Sequence, residues 1–293
     1  MLDAGPQTRL RAQAAPPLPI DRMVLGKPVA EVEALLPRLF SLCRAAQGAG
    51  VQAALGKPVT TDGIAAEVLR DHVMKLFVSW PGHFGMAPLP LPPGWADGGA
   101  DLAQAVFGPT GHAPQTGEAL HGFVASDLGV APVLRRIAGC FDPGEAAAQA
   151  PRVTADTIWD IHAGENSVAA RHADHPALRA LGDRAGQGPL WRAVARVYDV
   201  QAAMDGCLPA PTTGPGWAVV PATRGLYGIA LTVEDGCVTA FARVTPTDHL
   251  LAQEGILDRA LSSLPAEKAG LAPLLLDILD PCSPVRLREG THA

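Results

Sequence analysis

The residues in this chain best suited to chemistry are five cysteines, at positions 43, 140, 207, 237 and 282. As a thiolate, cysteine is both a nucleophile and a soft metal ligand. The five are odd in number and far apart, which is not a disulfide framework, so the default expectation is a reducing cytoplasm. Two of them stand in informative surroundings. Cys282 follows Asp280 and Pro281 at the end of an apolar helical run over 271–279. Pro281 biases Asp280 away from the helical region, so the helix should stop there and present Cys282 at a rigid corner. Cys43 lies in Arg38-Leu39-Phe40-Ser41-Leu42-Cys43. It falls in the first turns of a helix expected over 39–47, where free N–H groups and the helix dipole favour a thiolate. A thiol fixed late in the chain calls for a partner elsewhere, and Cys43 is the best candidate.

Cys237, just past a hairpin turn, reads as structural, and Cys140 and Cys207 have no comparable frame. His172-Ala173-Asp174-His175, with Asp160, His162 and Glu165 upstream, offers zinc-type ligands. Pro176 beside the histidine pair makes the needed helical geometry doubtful, so a solvated helix–loop face is the preferred reading. No Ser/His/Asp order and no phosphate-cradling glycine loop is present.

The elements that must position these groups are mostly helical. Residues 1–21 hold Gly, Gln and prolines without periodicity and read as a loose N-terminal arm, followed by a single domain over 22–293. Pro28 fits a helix start, with a stripe of Val29, Val32, Leu35 and Leu36 that Pro37 should break or kink. The helix carrying Cys43 should end in Gly48-Ala49-Gly50. Thr61-Asp62 caps a longer helix to about residue 80, with a stripe of Ile64, Val68, Met74, Phe77 and Val78, stopped by Pro81-Gly82. Residues 81–120 read as a long Pro/Gly-rich loop. Short helical pieces follow around 127–138 and 153–162. Pro189 opens a clear helix ending at Gly206.

The period then changes to two, and 217–220, 226–233 and 237–244 read as strands. Asp235-Gly236 is a tight hairpin signal, because both residues tolerate positive φ. Helices around 250–262 and 267–279 lead to Cys282. The fold class is therefore α+β, mostly helical, with one small antiparallel meander.

The bulk properties exclude several function classes. Apolar residues are 48% and charged residues 18% of 293, the mark of a globular chain. A net charge of −6 offers no broad basic face for nucleic acid or anionic lipid. No run of about 18 apolar residues marks a membrane span. Pro16-Pro17-Leu18-Pro19 stands where a secretory signal would need its apolar stretch.

Four segments in order resemble the large subunit of nickel–iron hydrogenases. Residues 38–47, R-L-F-S-L-C-R-A-A-Q, resemble the family's R-x-C-G-x-C-x-x-x-H, with Arg38 and Cys43 kept, Phe40 at the first cysteine and Gln47 at the histidine. Residues 280–288, D-P-C-S-P-V-R-L-R, resemble D-P-C-x-x-C-x-x-H, with Val285 at the second cysteine and Arg288 at the histidine. The segment P-A-T-R-G-L-Y-G-I resembles the family's A-P-R-G segment and keeps Arg224 and Gly225. Pro246-Thr247 resembles its Pro-Ser/Thr turn. The helix around Asp71-His72 gives a weaker echo.

The resemblance implies a large-subunit-like helical core. It also implies a site where Cys43 and Cys282 are the surviving metal ligands and Arg224, Pro246 and Thr247 contact the cofactor. The family's four thiolates hold nickel and iron, and the iron carries two cyanides and one carbon monoxide. Phe40 and Val285 cannot ligate a metal, so no nickel site and no hydrogenase activity are expected. The family's N-terminal glutamate motif, which relays protons, also has no match. Two thiolates and three diatomic ligands still suffice for one iron, held transiently. Arg224 would offset its negative charge and donate to a cyanide, each such pair being worth about 4 kcal/mol at ~4 Å and an effective dielectric of ~20, before desolvation. Thr247 would serve the other cyanide.

The pattern resembles the HupK/HoxV-type hydrogenase accessory proteins. That resemblance implies a non-catalytic scaffold or chaperone in maturation. It would receive or assemble the iron–cyanide–carbonyl unit, with a small iron-carrier chaperone and iron-loading complex as partners, and pass it to the hydrogenase large subunit. The alternative is a metal-free large-subunit mimic that only binds maturation partners. The chain ends five residues after Arg288, so the proteolytic processing of nickel-loaded precursors is not expected.

Overall fold

The computed structural model describes residues 10–16, 18–39 and 41–289. The chain enters through β1 (Leu10–Ala14) and α1 (Ile20–Val24), then α2 (Val29–Leu39), a single turn at Ser41–Cys43 and α3 (Arg44–Ala54). Next come α4 (Asp62–Met74), a π-helical turn at Lys75–Ser79, α5 (Trp80–His83), α6 (Ala100–Phe107), α7 (Gly117–Ala125), α8 (Ala131–Cys140), α9 (Val168–His172), α10 (Pro176–Ala185) and α11 (Pro189–Met204). Strands β2 (Thr212–Gly214), β3 (Trp217–Ala222), β4 (Gly225–Glu234) and β5 (Cys237–Val244) form one antiparallel meander in that order. Then α12 (Pro246–Leu250), α13 (Ile256–Ser262) and α14 (Ala272–Leu279) lead to β6 (Val285–Glu289), which pairs antiparallel with β1.

The fold class is the one expected. Asp235 and Gly236 take φ of 49° and 76°, as the tight turn between β4 and β5 requires. Asp280 adopts a left-handed φ of 54° and ends α14 before Pro281. The central element is α11, in which twelve of sixteen residues are buried, so core surrounds it on nearly all sides.

Several expectations are corrected. Leu10–Ala14, inside the stretch read as a loose arm, is a paired strand, and Ile20 is buried. Pro37 neither breaks nor ends α2, because it sits in the last turn, where one lost N–H bond costs little. Helix α3 runs through Gly48 and Gly50 to Ala54. Gly50 serves packing there, since a Cβ at this position would lie 3.2 Å from both Ile229 and Tyr227 of β4. The helix after Thr61 continues past Pro81 to His83 through the π-helical turn, and Met74 is exposed rather than on its inner stripe. The span 81–120 contains α6 and the start of α7, whereas 153–162 is turns rather than helix. Phe40 lies outside the described residues.

Candidate metal-binding site

Cys43 and Cys282 meet. Cys43 is the N-cap residue of α3, Cys282 follows the α14 stop, and the two free thiols lie close enough for each to shift the other's charge, with no disulfide between them. Three other segments converge on them. The two-residue turn Thr223-Arg224 between β3 and β4 brings Arg224 in, and its Nη1 donates to Cys43 Sγ at 4.0 Å. The first turn of α12 brings Thr247, whose hydroxyl accepts the Cys282 N–H at 2.6 Å. The third is α4, which carries Asp71 and His72.

Arg224 is clamped. Its Nε meets Asp280 Oδ2 at 2.8 Å and its Nη2 meets Asp71 Oδ1 at 3.0 Å. That leaves the Nη1 edge to face the sulfur. Arg196 of α11 backs the same carboxylates, at 3.0 Å to Asp280 and 3.6 Å to Asp71, and donates to His72 Nδ1 at 3.1 Å. A guanidinium can only donate, so His72 Nδ1 accepts and its Nε2–H donates to Asp199 Oδ2 at 2.9 Å. Lys75 adds a further cation, 3.0 Å from Asp280.

Asp199, fully buried on α11, anchors a second layer. Arg171 of α9 donates to both its oxygens at 2.7 Å, and His172 Nε2 meets Oδ1 at 2.7 Å. The other Arg171 nitrogen donates to the carbonyls of Ala222 (2.7 Å) and Gly225 (2.9 Å), the residues flanking the Thr223-Arg224 turn. Neither turn residue has positive φ, so this tight connection lacks the geometry that hairpins favour. Arg171 ties its two ends together instead. From the far side Asn166 exchanges two hydrogen bonds with the Leu226 backbone, at 2.7 and 3.1 Å. A Cβ at Gly225 would stand 2.6 Å from Asn166 Oδ1, which is why that position is glycine.

The electrostatics follow. Burial pushes Asp71, Asp199 and Asp280 upward, but their arginine and histidine neighbours outweigh it and hold all three well ionised. The thiols share one proton unequally. The hydrogen bond from Cys43, together with Arg224 and Thr247, pulls Cys282 down to about 7 against the cost of burial. Cys43 is driven up by that same bond and by burial. This reverses the expectation of a thiolate at Cys43. The free N–H groups at the start of α3 are taken by Glu67, whose Oε1 accepts from Ala45 N at 2.8 Å, so they do not serve the sulfur.

The site lies between two spaces. Inward is a cavity of about 30 Å³, lined in part by Arg224, Arg196, Asp280, Asn166, Pro246 and Thr247. Outward is an open groove of about 380 Å³ on which Cys282 borders, with Leu42, Leu276, Pro281, Pro284 and Val285. Three uncharged buried polar atoms near Cys43 have no protein hydrogen bond: Gln47 Oε1, one helical turn along α3; Thr223 Oγ1, beside Arg224; and Tyr227 Oη, whose ring packs on Gly50 further along the same helix. Glu67 Oε2 and Arg224 Nε, on charged groups beside them, lack one too.

The other sequence candidates disperse. Arg38 is exposed at the end of α2 and makes no hydrogen bond to Cys43 among the described residues. His172 joins Asp199, His175 caps α10, Glu165 forms a buried bidentate pair with Arg192 at 2.7 Å, and Asp160 is exposed. That histidine stretch is thus neither one metal cluster nor a wholly solvated face.

Residue-by-residue reading missed Arg171, Arg196 and Asp199. A signal existed: Arg192, Arg196 and Asp199 recur at helical spacing within α11, an otherwise apolar helix.

A Rhodobacter capsulatus protein, hydrogenase expression/formation protein HupK, is 47% identical over 287 residues, covering 97% of this chain and 95% of that protein. This chain belongs to the HupK family. Hydrogenase expression/formation protein HoxV of Cupriavidus necator is 34% identical over 79 residues, 24% of this chain and 21% of that protein. No protein-family model matches. Among solved structures, the oxidised nickel–iron–selenium hydrogenase of Desulfovibrio vulgaris Hildenborough superposes with a TM-score of 0.54 at 14% identity, over 94% of this chain and 97% of that one. The reduced enzyme of Desulfomicrobium baculatum gives 0.53 at 12% identity, over 96% and 97%. These likenesses establish a common fold: this HupK-family chain has the architecture of the nickel–iron hydrogenase large subunit. No described helix is long and apolar enough to cross a membrane.

Proposed function

We propose that this chain acts in hydrogenase maturation as a non-catalytic scaffold. It holds an iron unit bearing two cyanides and one carbon monoxide between Cys43 and Cys282 and releases it to the hydrogenase large subunit. The observation that carries this reading is the meeting of two free thiols, from opposite ends of the chain, against the one open edge of a clamped arginine. The donor set fits such a cargo. Two sulfurs suit iron, Arg224 offsets negative charge, and the three unpartnered polar atoms leave hydrogen-bonding capacity for small polar ligands.

Thr247 accepts the Cys282 N–H, which holds Cys282 in place, and its own O–H is still a donor for a cyanide of the cargo. Pro246 opens α12 and so fixes where Thr247 points. Two thiolates instead of four, and a groove open at Cys282, suit a cargo that must leave. The partners on this reading are the small iron-carrier chaperone, the iron-loading complex and the large subunit, all cytoplasmic. Nickel has no place in the donor set.

The test is infrared spectroscopy of chain purified without air from a host with the maturation genes. Cyanide and carbonyl bands should be present in wild type and absent from Cys43→Ser and Cys282→Ser. Wild type without bands, yet with normal partner binding, would sink the scaffold and leave the metal-free mimic.

A further inference from the structure

The ribbon of β1 and β6 has two dissimilar faces. Leu10, Ala12, Val285 and Leu287 turn inward and pack against the core. The register sets Arg11 opposite Arg288 and Gln13 opposite Arg286, so three arginines share the outer face. All three are exposed, and none has an ion-pair partner among the described residues. Like charges directly opposite each other on a ladder destabilise it, and a ribbon face selected only for solubility would alternate sign. The patch also runs against a net charge of −6. Its place is specific, because β6 begins at Val285, which lines the groove on which Cys282 borders.

We propose that this arginine face is a docking surface for an acidic patch on a protein partner, placing that partner over the groove. The favoured occupant is a folded protein and not a nucleic acid. Three arginines are too few to hold a polyanion against a chain of net negative charge. A partner with a matching acidic patch gains rate and orientation from the same three charges. Its position beside Cys282 rests on the scaffold reading; the charge argument does not.

The test uses the full chain with Arg11, Arg286 and Arg288 all changed to Glu. Binding is measured to two purified proteins of the same cell, the small iron-carrier chaperone and the large-subunit precursor. Wild type should bind one of them with an association rate that falls steeply with salt, and the triple variant should associate at least about ten-fold more slowly. The single change Arg288→Glu gives Arg11 an opposite charge across the ladder. It should therefore keep or raise thermal stability while still slowing association, which separates docking from a structural role. Equal binding by wild type and triple variant, or binding by neither partner, would each overturn the proposal. Infrared bands dependent on Cys43 and Cys282 are scored separately, so either idea can fail alone.

Discussion

The two sides of the cysteine site differ in how their buried polar groups are paired. On the charged side, Arg224, Asp71, Asp280, Arg196, His72, Asp199 and Arg171 form a buried network in which every carboxylate has at least two partners. On the uncharged side, Gln47, Thr223 and Tyr227 each bury a polar atom with no protein partner. Arg171 Nε and Arg224 Nε make no hydrogen bond, but the ion pairs alone fix the geometry, because no member moves without stranding a charge. Unpartnered buried atoms cost stability, and each calls for a cause such as strain, a role in chemistry, or a bound water or ion. The charged side is therefore the frame, and the uncharged side holds spare hydrogen-bonding capacity.

The largest break should come at Asp199, the network's deepest anchor. Asp199→Ala strands Arg171 and removes a partner of both His72 and His172. A loss of about 3–5 kcal/mol is expected in denaturant titration. A loss under about 1 kcal/mol would show the network is not a frame.

Acid should attack the same side. Asp71, Asp199 and Asp280 have pKa values lowered by folding, so their contribution is complete above the unfolded value of ~3.9 and disappears as pH falls toward the folded ones. Stability should decline from about pH 5 downward, each group contributing up to about 1.4 kcal/mol per pH unit. In Asp199→Ala the decline should be shallower.

Thiol reactivity tests the boundary between the two sides. Peptide mapping after alkylation should find Cys282 reacting with a midpoint near pH 7 and Cys43 protected. In Cys43→Ala the Cys282 midpoint should rise toward the ordinary thiol value, since its hydrogen-bond donor is gone. Preferential labelling of Cys43 would reverse the assignment.

The smallest effect belongs to the uncharged side. Tyr227→Phe deletes a hydroxyl that has no partner, so unfolding free energy should stay within about 0.5 kcal/mol of wild type or rise slightly. The infrared bands of loaded protein should shift. A clear loss of stability would mean the hydroxyl is already satisfied in the empty protein.

Much of this was legible in advance for local reasons. Asp-Gly at 235–236, Pro281 after Asp280 and Pro189 at a helix start act through φ alone, and each did what its chemistry dictates. Gly50 misled because tertiary packing overrode propensity, α3 needing a small residue against β4, and Pro37 misled because it falls in the last turn of α2, where it removes little. The arginine at 224 was legible from its motif, whereas Arg171 was not, since its partners are 28, 51 and 54 residues away.

By itself the sequence determined the elements, the family likeness and the pair of cysteines worth watching, because those depend on residue type and short spacing. Only the folded chain decided which sulfur carries the charge. That choice depends on Cys43 standing against Cys282, on Glu67 occupying the start of α3 and on Thr247 reaching Cys282, contacts between segments that sequence distance does not encode.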